Sequence, residues 1–175
     1  MSSNDSEDYS VAQTIQAGHN VQGHVERLKQ SFNIESIPAG EGWSEVTGVH
    51  EGSKILDDIK KEFKKDFGGS RRITDIVDAF ATPPAKPYLV SRRVQLLVFQ
   101  SGRSSLGDNC AVLIPVAMSG PIEAIVEEQT NRRQTTIKFT DNSEIMITGK
   151  SSILIPANSK VVCVMLGIGI GEDKR

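Results

Sequence analysis

The chain has 175 residues, enough for one domain with a real hydrophobic core. Apolar residues make up 38% of it, aromatic residues make up 5%, and the formal net charge is −2. These values exclude a wholly disordered chain and a globally basic one. Any binding to nucleic acid or anionic lipid must therefore use a local basic patch.

Residues 1–9 are acidic and polar, and we interpret them as a flexible arm. They lack the basic and apolar regions of a signal peptide, so we do not expect one here. No apolar run reaches the roughly 18 residues that cross a bilayer. Cys110 and Cys163 lie in apolar segments without metal-ligand spacing, which predicts reduced core thiols. We therefore expect an intracellular protein that is not secreted.

The segment 10–82 has the apolar spacing of helices. A capping-box pattern at Ser10 to Gln13 predicts a short helix that ends at Gly18. A second helix is predicted by a stripe at helical period, made of Val21, Val25, Leu28 and Phe32. A Gly-rich loop follows over residues 33–52. In this loop we interpret Trp43 as a packing anchor, with a partner-binding residue as the alternative.

A further amphipathic helix is predicted from Ser53 to Phe67, with Gly68 and Gly69 as its C-terminal cap. Its apolar stripe consists of Leu56, Ile59, Phe63 and Phe67. Ser70 is the candidate cap of one more helix before residue 82.

The C-terminal half has a different pattern. Residues 83–87 contain three prolines, which end the helical half and favour an extended link. From residue 88 to residue 175, short alternating apolar runs predict strands, and "TTIKFTDNSEIMIT" predicts a hairpin that turns at Asp141-Asn142. The predicted fold class is therefore α+β, with a helical N-terminal half followed by an antiparallel β-meander that forms a small barrel or sandwich. We expect one structural unit.

Residues that could carry out catalysis are scarce. His19 and His24 are five residues apart, about 140° on a helix, which does not suit a metal pair. His50 lies in the predicted loop. The glycines of "GIGIGE", residues 167–172, have no room for the helix that a phosphate loop needs. No nucleophile motif is present, so we expect no enzymatic activity, no cofactor and no metal.

The strongest local signal is basic. Between Lys54 and Arg72 there are seven basic and four acidic residues, and three arginine pairs occur in the chain. Arginine suits phosphate through its planar fork. The alternative is the solvated face of an amphipathic helix. The candidate contacts to an anionic partner are Lys60, Lys61, Lys64, Lys65, Arg71, Arg72, Arg92, Arg93, Arg132 and Arg133.

The segment "PPAKPY" offers a second candidate. Pro84 and Pro87 have the spacing of an extended ligand for an aromatic groove, and Tyr88 follows them. The alternative is a simple linker.

An acidic arm, a helical segment with basic charge, a Pro-rich link and a β-rich half together resemble small viral matrix proteins, such as those of plant rhabdoviruses. The resemblance covers the organisation of the whole chain. It implies a non-enzymatic structural protein of the virion that associates with itself and bridges a nucleocapsid, or its RNA, and an anionic membrane surface. In a host cell it would be cytoplasmic.

Two other functions are compatible with the residues. One is an adaptor that binds a protein through the β-rich half. The other is a small enzyme whose site is assembled by the fold.

Overall fold

The computed structural model describes residues 11–69, 87–89 and 94–170. The helices are α1 (His19–Gln30) and α2 (Gly52–Gly69), and one turn of 3₁₀ helix spans Ile34–Ser36. The strands are β1 (Ala12–Gln16), β2 (Trp43–Glu45), β3 (Pro87–Leu89), β4 (Gln95–Ser105), β5 (Cys110–Met118), β6 (Glu123–Glu128), β7 (Gln134–Lys138), β8 (Ser143–Ile147) and β9 (Ser151–Ile170). All pairings between these strands are antiparallel.

The long strand β9 joins two layers of sheet. Residues 151–154 pair with β6, and residues 161–168 pair with β5. The strand β4 accompanies β9 along both parts, with a register shift at Gly102, whose φ of 103° favours glycine. The larger layer has the order β1-β8-β5-β9-β4-β2, and the smaller layer adds β6 and β7 to the first part of β9. The result is a jelly-roll-like β-sandwich.

Two hydrophobic cores follow from the alternation of side chains along these strands. One fills the interior between the layers, with members such as Phe99, Leu113, Val126, Ile145 and Ile153. The other lies between the helices and the outer face of the larger layer, with members such as Val112, Ile114, Val162, Val164 and Leu166. The central strands of the larger layer, such as β5, are therefore apolar on both faces, as expected for a buried sheet.

The helices cover the outer face of the larger layer. Helix α1 buries Val21, Val25 and Leu28, which are three members of the predicted stripe. Helix α2 buries Ile55, Ile59 and Phe63. The two helices also contact each other through polar groups, since Asn20 Nδ2 donates to Glu62 Oε2 at 3.2 Å and Arg27 lies 3.7 Å from Asp58.

The predicted fold class is wrong. The segment expected to form the first helix is β1, which pairs with β8 from Ala12↔Ile147 to Gln16↔Ser143. The predicted loop contributes β2, so the N-terminal half supplies two strands of the larger layer. Pairing with a neighbouring strand outweighs a local capping pattern, because it satisfies the whole backbone of the segment.

The predicted hairpin is also wrong. Strand β7 pairs with β6 in the smaller layer, whereas β8 pairs with β1 and β5 in the larger one. The link through Asn142, which has a φ of 59°, crosses from one layer to the other. Ile137 and Ile145 nevertheless face the same interior core.

The division into an arm, a helical segment, a link and a β-rich domain stays a prediction. Its arm (1–9), the helix expected after residue 69 and most of its link (83–86) lie outside the described residues. Among the residues that the structure describes, no helix is long and apolar enough to cross a membrane, as expected.

We expect Gly149→Ala to destabilise the fold. Gly149 lies between β8 and β9, where an added Cβ would overlap the backbone carbonyl oxygen of Asp108. Relieving this overlap requires a backbone shift, which should lower the free energy of unfolding by about 1–3 kcal/mol in urea denaturation.

The matched control is Gly23→Ala, on α1, where an added Cβ meets no atom within 4 Å. It should raise the free energy of unfolding by about 0.5–1 kcal/mol, because alanine favours the helix. Equal stability of Gly149→Ala and the wild type would contradict the close approach of Gly149 to the backbone of Asp108.

Candidate functional site

The described interior between the layers is an apolar core. The inward-facing hydroxyl of Ser104, beside Ile153, is buried without a hydrogen-bond partner, and those of Thr148 and Ser151 bond each other at 3.0 Å. Cys163 is also buried there, and burial raises the pKa of its thiol. These groups leave the interior without an obvious ligand-binding set among the described residues.

A groove of about 620 Å³ lies at one end of the sandwich. We call it the end groove. One wall is the chain after α1, with Phe32 and Ile34, and another is the end of β5, with Met118, and the link that follows it. The β7–β8 link closes the third side and contributes Phe139 and Asp141. Its volume lies within the range of small-molecule sites.

The walls of the end groove are held by polar contacts from other elements. The ammonium of Lys160, on β9, donates to the carbonyl oxygens of Ile34 (3.4 Å) and Ile37 (2.7 Å). The backbone N–H of Lys160 donates to the hydroxyl of Ser119 at 3.0 Å. One residue of the central strand therefore fixes both walls, which pre-organises the groove.

The rim of the end groove carries positive charge. Lys29 lies 3.9 Å from Asp141, and both side chains are largely exposed. Such a long surface pair is weak. Lys138 also lines the groove, and within the described parts of the chain it has no ion pair. An anionic group entering the groove would thus meet an ammonium that has no carboxylate within ion-pair distance in the described ranges, although Glu123 lies opposite it in the strand register.

A second polar cluster lies on the outer face of the smaller layer. We call it the Glu127 cluster. The carboxylate of Glu127 accepts hydrogen bonds from Gln134 Nε2 (2.6 Å), Arg132 Nη1 (2.9 Å) and Arg103 Nη1 (3.3 Å). Arg103 Nη1 also donates to Ser152 Oγ at 2.8 Å. The bonds from Gln134 and Arg132 hold the pKa of Glu127 below its ordinary value, because they stabilise the charged form.

The structure separates the predicted basic residues that it describes. Lys60, Lys61, Lys64 and Lys65 lie on α2, over the larger layer, and Lys65 bonds Glu62 at 3.0 Å. This bond, followed by that from Asn20, lowers the pKa of Glu62.

The arginines belong to a different part of the fold. Arg132 and Arg133 lie at the β6–β7 turn, where they bond Glu127 and Glu128. The lysines of α2 therefore lie over the larger layer, and the two arginines lie in the smaller one. Their role in binding an anion stays a prediction. Outside the described residues lie Arg71, Arg72, Arg92, Arg93 and Pro84.

The peptide motif also stays a prediction. Pro87 and Tyr88 form part of β3, where Pro87 pairs with Ile170 and Tyr88 with Gly169.

Sequence reasoning missed most residues of both sites, and of the Glu127 cluster only Arg132 was among the predicted contacts to an anionic partner. Lys29 and Lys138 are isolated lysines without a motif, and only the fold places them on one rim. The outward position of Glu127 could have been predicted, because Ala124 and Val126 alternate along β6 and face the core. Two of its partners, Arg132 and Gln134, lie in the hairpin that follows it, whereas Arg103 comes from β4, which no local pattern predicts.

Comparison with known proteins shows the fold. No family model matches the chain, and no curated protein matches it. An assigned oxygenase from Shewanella oneidensis has a TM-score of 0.52 at 8% identity, over 93% of this chain and 83% of that one. A prolyl hydroxylase from Trichoplax adhaerens, in complex with a hypoxia inducible factor peptide fragment, has a TM-score of 0.50 at 7% identity, over 90% and 83%.

A third similar structure comes from Burkholderia pseudomallei, an oxidoreductase of the 2OG-Fe(II) oxygenase family. It has a TM-score of 0.46 at 15% identity, over 93% of this chain and 88% of that one. The fold assignment rests on the first two structures, and the chain shares with them a fold found in solved oxygenases.

The resemblance to viral matrix proteins is therefore wrong. The structural neighbours are oxygenases, and the β-sandwich contains two strands from the half expected to be helical. The predicted non-enzymatic matrix function and the predicted place in a virion were wrong with it. The absence of a local catalytic motif was a poor guide, because the same fold occurs in solved oxygenases and a fold does not determine activity.

The described residues do not fit an Fe(II) centre. Non-haem Fe(II) in oxygenases is held by two histidines and one carboxylate. The three histidines of the sequence lie on α1 (His19, His24) and just before α2 (His50), outside the interior. His24 Nδ1 is 3.1 Å from Arg27 Nη1. In the described ranges, no group of three His, Cys, Asp or Glu residues could hold a metal ion.

We expect the Glu127 cluster to make stability depend on pH. Because the pKa of Glu127 is lower in the folded state than in the unfolded state, its contribution is present above the ordinary carboxyl pKa of about 4.3. It is lost as the pH falls from that value through the folded-state pKa. Glu127→Gln should therefore be less stable than the wild type in urea at pH 7, and the difference should shrink in acid.

Glu123→Gln is the control, because it removes one charge from an exposed position of the same strand. The hydrogen-bonded role of Glu127 would be contradicted if both variants followed the stability of the wild type over the whole pH range.

Proposed function

We propose that this chain is a jelly-roll ligand-binding protein, and that it takes an organic anion with an apolar body in the end groove. The observation that carries the proposal is the position of Lys138, an ammonium without an ion pair among the described residues, beside an apolar wall. Small-molecule sites commonly combine such a wall with a few charged groups that orient the ligand.

The apolar part of the ligand would lie along Phe32, Ile34 and Met118, with Phe139 beneath it. Phe32 and Ile34 pack against the outer core, and Phe139 and Met118 belong to or contact the interior core. These side chains are therefore supported from behind. Covering their exposed surface with a ligand would be favourable at about 25 cal/mol per Å² of apolar area.

The anionic part of the ligand would lie at the rim. Lys138 attracts it directly, and Lys29 can exchange its weak contact with Asp141 for a contact with the ligand. Binding should therefore weaken as the salt concentration rises, because both lysines face solvent.

The position of the end groove agrees with a filled interior. A ligand that took the place of core side chains such as Phe99 and Ile153, which are almost fully buried, would have to move them. Binding at the end of the sandwich requires no such movement, and it requires no Fe(II).

Oxygenase activity is a second candidate function, favoured by the shared fold. It can be tested by incubating the full-length protein with Fe(II), 2-oxoglutarate and O₂. Consumption of 2-oxoglutarate that chelation of the iron abolishes would support it. No consumption above the protein-free control would leave the end groove as the basis of function.

We expect Lys138→Glu to weaken the binding of decanoate, a simple anion with an apolar body, by about fivefold or more. The substitution replaces an attraction with a repulsion at the rim. Isothermal titration of the full-length protein measures this change. Decanol, which lacks the charge, should bind both proteins equally.

Lys61→Glu is the matched control, because Lys61 is an exposed lysine on α2, away from the end groove. Equal binding of decanoate to the wild type and to Lys138→Glu, or no binding to the wild type, would contradict the proposed site.

A further inference from the structure

The outer face of the smaller layer contains two adjacent cross-strand rows. The strand register aligns Arg103, Leu154, Ile125 and Thr136 in one row, and Ser105, Ser152, Glu127 and Gln134 in the next. Ile125 is one of the few large apolar side chains that the described surface exposes. This face is therefore a mixed surface, with an apolar strip beside the Glu127 cluster.

Glu127 organises the two arginines of this cluster. The residue is only 7% exposed, although it lies on the outer face. Its Oε1 atom accepts from Nη1 of both Arg103 and Arg132, so one oxygen holds two like-charged groups side by side. Gln134 occupies the other oxygen, Oε2. The carboxylate is thus satisfied by fixed donors, and the guanidinium groups are oriented by it.

Both guanidinium groups keep unused donors. Each has five N–H groups, and the contacts in the described structure use only Nη1 of Arg103 and of Arg132. The side chains are 49% and 79% exposed, so Nε and Nη2 can reach a ligand.

The charges of the cluster do not balance. Two guanidinium groups face one carboxylate, whereas the neighbouring Arg133 is matched by Glu128 at 2.8 Å. A single arginine and Gln134 would already give each oxygen of Glu127 one hydrogen bond. The second arginine therefore leaves an excess of positive charge on an oriented pair of planar donors, which suits a tetrahedral dianion.

We propose that Arg103 and Arg132 form a binding site for a phosphoryl group, held in position by Glu127. The group would accept hydrogen bonds from the free Nε and Nη2 donors of both arginines. The apolar strip of Ile125 and Leu154 lies next to it and would contact the rest of the ligand. This site lies on the smaller layer and is independent of the end groove.

The test is a titration of the full-length protein with inorganic phosphate, followed by two-dimensional NMR, against chloride at the same ionic strength. Phosphate should shift the arginine side-chain N–H signals of Arg103 and Arg132 and the amides near them. Arg132→Gln should weaken phosphate binding by about fivefold or more. Arg132→Lys, which keeps the charge but loses the fork, should also weaken it.

Arg133→Gln is the matched control, because its guanidinium group is bonded to Glu128. It should bind phosphate as the wild type does. Equal binding by Arg132→Gln and the wild type, or identical responses to phosphate and chloride, would overturn the proposal. Thermal unfolding of each variant verifies that the fold is intact.

The source of the phosphoryl group is tested with a phosphoserine peptide and its unphosphorylated form. Tighter binding of the phosphopeptide than of inorganic phosphate would support the site and identify a peptide ligand. Equal affinities would support the site and identify a small phosphate. Equal binding of the two peptide forms, with no response to phosphate, would contradict it.

Discussion

The pairing of one 20-residue strand with four others is the constraint on which this structure depends. Strand β9 belongs to the smaller layer at its start and to the larger layer at its end, and β4 follows it through the bend at Gly102. The layers cannot separate without breaking this ladder, so they enclose one interior core. Both candidate sites depend on the same strand, since Lys160 fixes the walls of the end groove and Ser152 contacts Arg103.

The spacing of apolar residues predicted which face of a helix or strand is buried better than it predicted which strands pair. The stripes that place Val21 and Ile59 against a core are buried as expected, because helical spacing alone decides which side is apolar. The alternation around Ile137 and Ile145 does place both side chains in the interior core. The hairpin inferred from it was wrong, because alternation fixes the face of a strand and says nothing of its neighbour. The same limit explains the failure at β1, where pairing with a strand about 130 residues away decided the structure.

Because the described interior holds packed apolar side chains, the candidate binding sites lie on the outside of the sandwich. A fold does not determine activity, and the residues decide what a given copy of it can do. Here side chains such as Phe99 and Ile153 occupy the space between the layers, and the histidines lie outside it. The charged groups that we assign to binding are at the surface of the described chain, at Lys138 and at Arg103 and Arg132 beside Glu127. Of the residues in these two sites the sequence predicted only Arg132, because each site combines segments that are distant along the chain.

The most direct test of this account is an amide NMR map of the full-length protein titrated with decanoate. We expect chemical-shift changes to concentrate around the end groove, at Ile34, Met118 and the residues from Lys138 to Asp141. The amides of Leu113 and Ile153, in the interior, should stay unchanged. Changes centred on the interior instead, with the end groove silent, would contradict the claim that ligands bind at the end of a closed sandwich.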